Sequence, residues 1–82
     1  MNKAIAKYPF SGTGDYSVEF PDTMSSLVLF NDGSTDITFS TDHFTHTLKP
    51  GDVFDEWLAN FTSLKITSAG GQFRGYCRSG GG

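Results

Sequence analysis

The feature that most constrains this chain is an alternation of apolar and polar residues with a period of two. Tyr16, Val18 and Phe20 alternate with Ser17 and Glu19. The same rhythm returns in Ile37 and Phe39, in Phe44, His46 and Leu48, in Leu64 and Ile66, and in Phe73, Gly75 and Cys77 against Arg74, Tyr76 and Arg78. Successive side chains of a strand point to opposite faces, so this period describes strands with one covered face. Helix is disfavoured by composition. Ala stands only at positions 4, 6, 59 and 69, while eight Phe, three Tyr and one Trp suit a pleated sheet.

Turn signals divide the pattern. Pro21-Asp22 is expected to end the strand that begins at Tyr16. Residues 26–30 form a nearly continuous apolar run, which predicts a strand covered on both faces. Asn31-Asp32-Gly33-Ser34 follows, and Asp-Gly is a strong reversal signal, so a hairpin is expected over 26–40. Lys49-Pro50-Gly51-Asp52 predicts a turn with Gly51 at positive φ. Residues 53–60 read in two ways: a short helix capped by Asp52, or a short strand with Phe54 and Leu58 inward. Ser68-Ala69-Gly70-Gly71 reads as a flexible turn, and Ile5 to Tyr8 as a first strand. About seven short strands with turns every ~8–12 residues predict an all-β fold, a small antiparallel β-sandwich or jelly-roll-like barrel. The 82 residues are expected to form a single β domain, 1–82, with 79–82 as a flexible tail.

A domain of this size buries only about 60–65% of its unfolded surface, and its core is marginal without help. Cys77 is the single cysteine, so no disulfide forms within the chain. Association with identical copies is the expected supplement. Met1 to Phe10 has no apolar run of about seven residues, so no secretory signal is expected there. No stretch approaches the ~18 apolar residues of a membrane span. The expectation is a soluble protein made in a cytoplasm, without a membrane partner.

Charge is unevenly placed. All nine acids lie between Asp15 and Glu56 with Lys49 as the one base among them, a net of −8. The flanks hold Lys3, Lys7, Lys65, Arg74 and Arg78 and no acid, a net of +5. Solvated strand faces must carry charge somewhere, which is the plain reading. The sharper one is docking between opposite potentials, head to tail or subunit to shell, that weakens as salt rises.

The candidates for chemistry are weak. His43 and His46 with Asp42 resemble a metal motif, but residues i and i+3 of a strand point to opposite faces, so His46 is expected beside the core and His43 in solvent. Asn31 to Asp36 has the look of a calcium loop without the further acids or terminal Glu of one. Asp55 and Glu56 are adjacent carboxylates that diverge on a strand, whereas general acid–base work needs two facing one substrate. Gly12-Thr13-Gly14 stops short of a phosphate-binding fingerprint. Cys77 shares the parity of Phe73 and is expected to be buried and inert. No catalytic, metal or cofactor site is therefore expected, and the chain is read as a non-enzyme.

Two binding readings remain. Phe73 to Arg78 is a basic strand with interleaved aromatics, a partial match to strands that stack single-stranded nucleic acid; the sequence pI near 5.0 argues against nucleic acid as a partner. Trp57 with Tyr8, Tyr16 and Tyr76 could stack sugars, although such residues more often fill cores or interfaces.

Between Leu27 and Arg78 the elements run LVLFNDGSTDITFS, TLKPGDVFDEW, FTSLKIT, a Gly-rich turn and FRGYCR. This order resembles small β-domains in virion proteins of tailed bacteriophages, particularly those of Gram-positive hosts. There a hairpin is followed by a K-P/A-G-x-x-F-D turn, an F-T-S-hydrophobic strand and a closing F-R-G strand. Such domains occur in head decorations, head fibres and tail or baseplate parts, and the resemblance implies no catalytic residues. It implies a non-enzymatic accessory protein of the virion, made in the host cytoplasm, whose partners are identical copies and a capsid or tail protein. Residues 1–25 match nothing in that pattern and are expected to include an attachment arm. The expected contact residues are Lys3, Lys7, Tyr8, Trp57, Arg74, Tyr76 and Arg78. The rival readings are a carbohydrate-binding module for host-surface glycans and a small-barrel single-stranded nucleic-acid binder.

Overall fold

Two strands of sixteen residues organise the molecule: β2, Tyr16–Asn31, and β5, Val53–Ser68. The computed structural model describes residues 4–80. Around this pair lie β1 (Ala4–Thr13), β3 (Ile37–Ser40), β4 (Thr45–Leu48) and β6 (Gln72–Gly80). All pair antiparallel in one sheet of order β1-β6-β2-β5-β3-β4. The all-β expectation therefore holds, with six strands among the described residues where about seven were expected.

The long strands change neighbours halfway. Residues 16–19 of β2 pair with 63–66 of β5, while 26–30 pair with 53–57 on one side and 26–31 with 73–78 of β6 on the other. The β2–β5 register shifts between Glu19 and Met24 and again before Ser26. Such irregularities bend a strand and let it pass from one layer to another. The sheet folds over, and residues far apart along it meet. Phe39, paired with Ile66, lies 4.8 Å from Phe54, paired with Leu29. Tyr16 lies 5.9 Å from Phe73 at the other end. The core between the layers is built from Phe20, Met24, Leu27, Leu29, Ile37, Phe39, Phe61, Leu64, Ile66, Phe73 and Cys77, all buried.

Several expectations change. The hairpin over 26–40 does not form: β3 pairs with β4 and β5, and β2 with β5 and β6. Both hydrogen-bonding edges of this part of β2 are taken by β5 and β6, strands from later in the chain, so no edge is left for β3. The segment after Asn31 therefore crosses to the other layer. Pro21-Asp22 does not end β2; it falls where the ladder to β5 is interrupted, the place where a residue without an N–H is tolerated. Residues 53–60 are strand, with Phe54 buried and Leu58 packed on the core. Of the expected arm, residues 4–13 and 16–25 are integral strand. Of the expected tail, Ser79 and Gly80 close β6 and 81–82 lie outside the described residues.

Three local devices hold the layers in register. Asn31, 1% exposed, donates from Nδ2 to the carbonyls of Thr35 (2.9 Å) and Leu48 (3.0 Å). Its Oδ1 accepts from the Gly33 N–H at 3.1 Å, so one side chain ties both crossing loops to the end of β2. The expected turn after Lys49 closes with the Asp52 N–H donating to the Lys49 carbonyl at 3.0 Å, and Gly51 supplies φ 84°. Gly75 lets β6 approach β2: a Cβ there would run into the Val28 carbonyl and lie 3.0 Å from the Phe10 ring.

Candidate functional site

The outer face of the β6-β2-β5 layer gathers the side chains that the core does not use. Directly opposed residues of paired strands share a face. The registers therefore set three rows: Arg74–Phe30–Val53, Tyr76–Val28–Asp55 and Arg78–Ser26–Trp57. Val28 and Ser26 are buried at the bottom of this face, at 2% and 0% exposure. Trp57 and Val53 stand out of it at 58% and 54%.

The arginines are braced rather than free-swinging. The Arg74 guanidinium lies 4.2 Å above the Phe30 ring and donates through Nε to Asp32 at 2.7 Å. Arg78 lies across the sheet, with Nη1 donating to Asp55 at 3.0 Å and to the Ser26 hydroxyl at 3.2 Å. Its guanidinium also sits 5.6 Å from the Tyr76 ring. The hydrogen bond to the Asp55 carboxylate holds the Arg78 pKa above its ordinary value. Stacked, paired guanidinium groups lose little rotamer freedom when a partner arrives, and each retains donors of its five-donor fork. The face thus offers two fixed cations, exposed apolar surface and one accessible carboxylate.

Four of the seven predicted contact residues, Trp57, Arg74, Tyr76 and Arg78, meet on this face. Lys7 and Tyr8 are elsewhere. A bulge between Lys7 and Phe10 sets Tyr8 at φ 57°. Lys7 Nζ and the Tyr8 hydroxyl both reach Asp22 Oδ2, at 3.1 and 3.0 Å, and the Tyr8 ring packs 5.4 Å from Phe20. They fasten β1 to the bend in β2. The bond from Lys7 holds the Asp22 carboxyl below its ordinary pKa. Lys3 lies outside the described residues. Phe30, Val28 and Val53 belong to the face and were not among the predicted contacts. The doubly apolar run 26–30 was the available signal for the first two.

The other candidates disperse. Asp42 does not face the histidines; it accepts from the Thr62 N–H and hydroxyl, at 3.1 and 3.3 Å, and from the Ser63 hydroxyl at 2.5 Å. Those bonds hold its carboxyl below the ordinary range, the one from Ser63 most. His43 is exposed, as expected. His46 is also exposed, yet its ring lies 5.7 to 6.0 Å from the rings of Phe54, Phe44 and Phe39. Among the described residues no three of His, Cys, Asp and Glu are grouped to hold a metal ion. In the calcium-like loop the side-chain oxygens have other uses: Asn31 on Gly33, Asp32 on Arg74, and Asp36 3.9 Å from Lys49. Asp55 and Glu56 fall on opposite faces of β5. Burial pushes the Cys77 thiol up to about 12. Tyr16 stacks on Phe10 at 5.3 Å and Tyr8 packs on the core, so of the four aromatics read as a sugar-stacking platform Trp57 and Tyr76 are the two on the outer face.

Comparison with protein-family models finds no match, and comparisons with curated proteins and with solved structures find none either.

Proposed function

We propose that this chain is a non-enzymatic structural or accessory protein of a tailed-phage virion, which acts by docking its outer β6-β2-β5 face. One observation carries the reading: Val53 and Trp57, 54% and 58% exposed, stand beside two arginines already fixed by stacking and pairing. Burying the exposed parts of these two side chains removes on the order of 200 Å² from water and contributes about 5 kcal/mol. Aromatic and arginine side chains that start out ordered are the groups that anchor interfaces. The resemblance of residues 27–78 to phage virion domains supplies the setting, with identical copies and a capsid or tail surface as the partners.

The test is cosedimentation of the purified chain with capsids and tails of the phage that encodes it. Saturable binding, reduced at least tenfold by Trp57→Ser and weakened by added salt, is the expected result. No binding to either particle would overturn the reading. Quenching of Trp57 emission by host-wall glycans alone would replace it with a carbohydrate-binding module.

A further inference from the structure

Resting on the reading of the outer face as a docking surface, we infer that its occupant is a second copy of this chain, related by a two-fold axis that runs along β2. The argument comes from how charge is laid out in columns. The β6 column carries Arg74 and Arg78. The β5 column carries Val53, Asp55 and Trp57. The β2 column between them carries Phe30, Val28 and Ser26 and has no charge.

Two faces that meet in a closed dimer are related by rotation about a line in the plane of contact, and that rotation exchanges whatever lies on either side of the line. A line along β2 therefore lays the basic β6 column of one copy over the β5 column of the other. Taken row by row, Arg78 lies over the partner's Trp57, and the Tyr76 hydroxyl lies over the partner's Asp55 carboxylate. Arg74 meets the partner's Val53, with the partner's Asp55 one row away. Cation over indole and hydroxyl to carboxylate are favourable pairs. The contact occurs twice by symmetry.

The competing arrangements set like charges together. A line across the strands would oppose Arg74 to the partner's Arg78. Edge-to-edge antiparallel pairing of two β5 strands centred on Asp55 would oppose this exposed carboxylate to the same carboxylate of the other copy, a destabilising cross-strand pair. Three strands about 4.8 Å apart present a modest face, so the pairing belongs with weak contacts of less than about 1,200 Å² in total. It forms and dissolves with concentration, which suits a module that also docks on a larger particle.

Position 53 provides the test, because it is 54% exposed and no core contact depends on it. Val53→Glu and Val53→Lys remove the same apolar group and differ in the charge shown to the partner's Arg74. Sedimentation velocity from roughly 10 μM to 1 mM, read with Trp57 emission, is expected to show concentration-dependent dimers of the wild-type chain with a blue shift on association. Val53→Glu should dimerise at least ~10-fold more tightly than Val53→Lys, and the gap should close in about 1 M salt. Adding Arg74→Glu to Val53→Lys should restore association.

A wild-type chain that stays at one chain mass throughout would overturn the pairing, as would equal constants for the two position-53 variants. The two proposals fail separately. A monomeric chain whose particle binding is lost with Trp57→Ser leaves the face as a docking surface and removes the pairing. A dimer whose Trp57 emission does not move puts its interface elsewhere and removes the pairing, whereas particle binding that Trp57→Ser leaves unchanged removes the docking face.

Discussion

Replacing Asn31 by Ala should cost about 3–4 kcal/mol of folding stability, more than its position at the end of a strand suggests. Asn31 makes three side-chain hydrogen bonds while 1% exposed, two to the carbonyls of Thr35 and Leu48 and one from the Gly33 N–H. The bond to Leu48 is buried, and a buried group stripped of its partner costs about 1–3 kcal/mol. The other two are part-buried, so water can reach their abandoned groups, and each contributes about 0.5–1.5 kcal/mol. Domains of this size hold roughly 0.05–0.15 kcal/mol per residue, on the order of 4–12 kcal/mol in total. The loss is thus a large share of what is available. Urea unfolding followed by far-UV circular dichroism measures it as a lowered midpoint at unchanged slope. Asn31→Asp keeps the acceptor for Gly33 but sets a carboxylate against two carbonyls, so it should be at least as damaging as Ala. A loss below about 1 kcal/mol for Asn31→Ala would refute the claim that this side chain joins the crossing loops.

Other outcomes follow from the same contacts. Gly75→Ala drives a methyl group into the Val28 carbonyl and the Phe10 ring and should destabilise by about 2 kcal/mol or more, read by thermal melting. Asp22 and Asp42 have folded pKa values below their unfolded ones, so the stability they contribute is present above the unfolded value and is lost as pH falls through the folded one. Urea midpoints should therefore fall on acidification below about pH 4, and Asp42→Asn should flatten part of that fall. Cys77, buried and with its thiol raised to about 12, should resist a thiol reagent in the native chain and react on unfolding.

The strand content was legible because period-two alternation is a local signal. The rows with Phe73, Cys77 and Leu64 inward needed only the residues themselves. The partner of each strand was not legible in the same way. Asp32-Gly33 does mark a change of direction, but whether the chain returns beside β2 or crosses to the other layer depends on what else competes for β2. Two later strands, β5 and β6, occupy both its sides. Pro21 was read as a terminator because a missing N–H usually ends a ladder, yet a strand that bends there has no bond to lose. At the outer face, Arg74, Tyr76 and Arg78 were found together because they share parity on one strand. Trp57 joins them only through the β2–β5 register, which no local pattern encodes. Lys7 and Tyr8 were expected with them, but the bulge in β1 turns both toward Asp22.

If the outer β6-β2-β5 face docks as proposed, it is covered in the assembled state. Trp57 is the single tryptophan and lies on that face, so acrylamide quenching of its emission reads the face alone. Dilute chain should quench as an exposed indole, and chain assembled at high concentration or bound to its particle should quench several-fold less. Equal quenching in the free and assembled states would contradict the account.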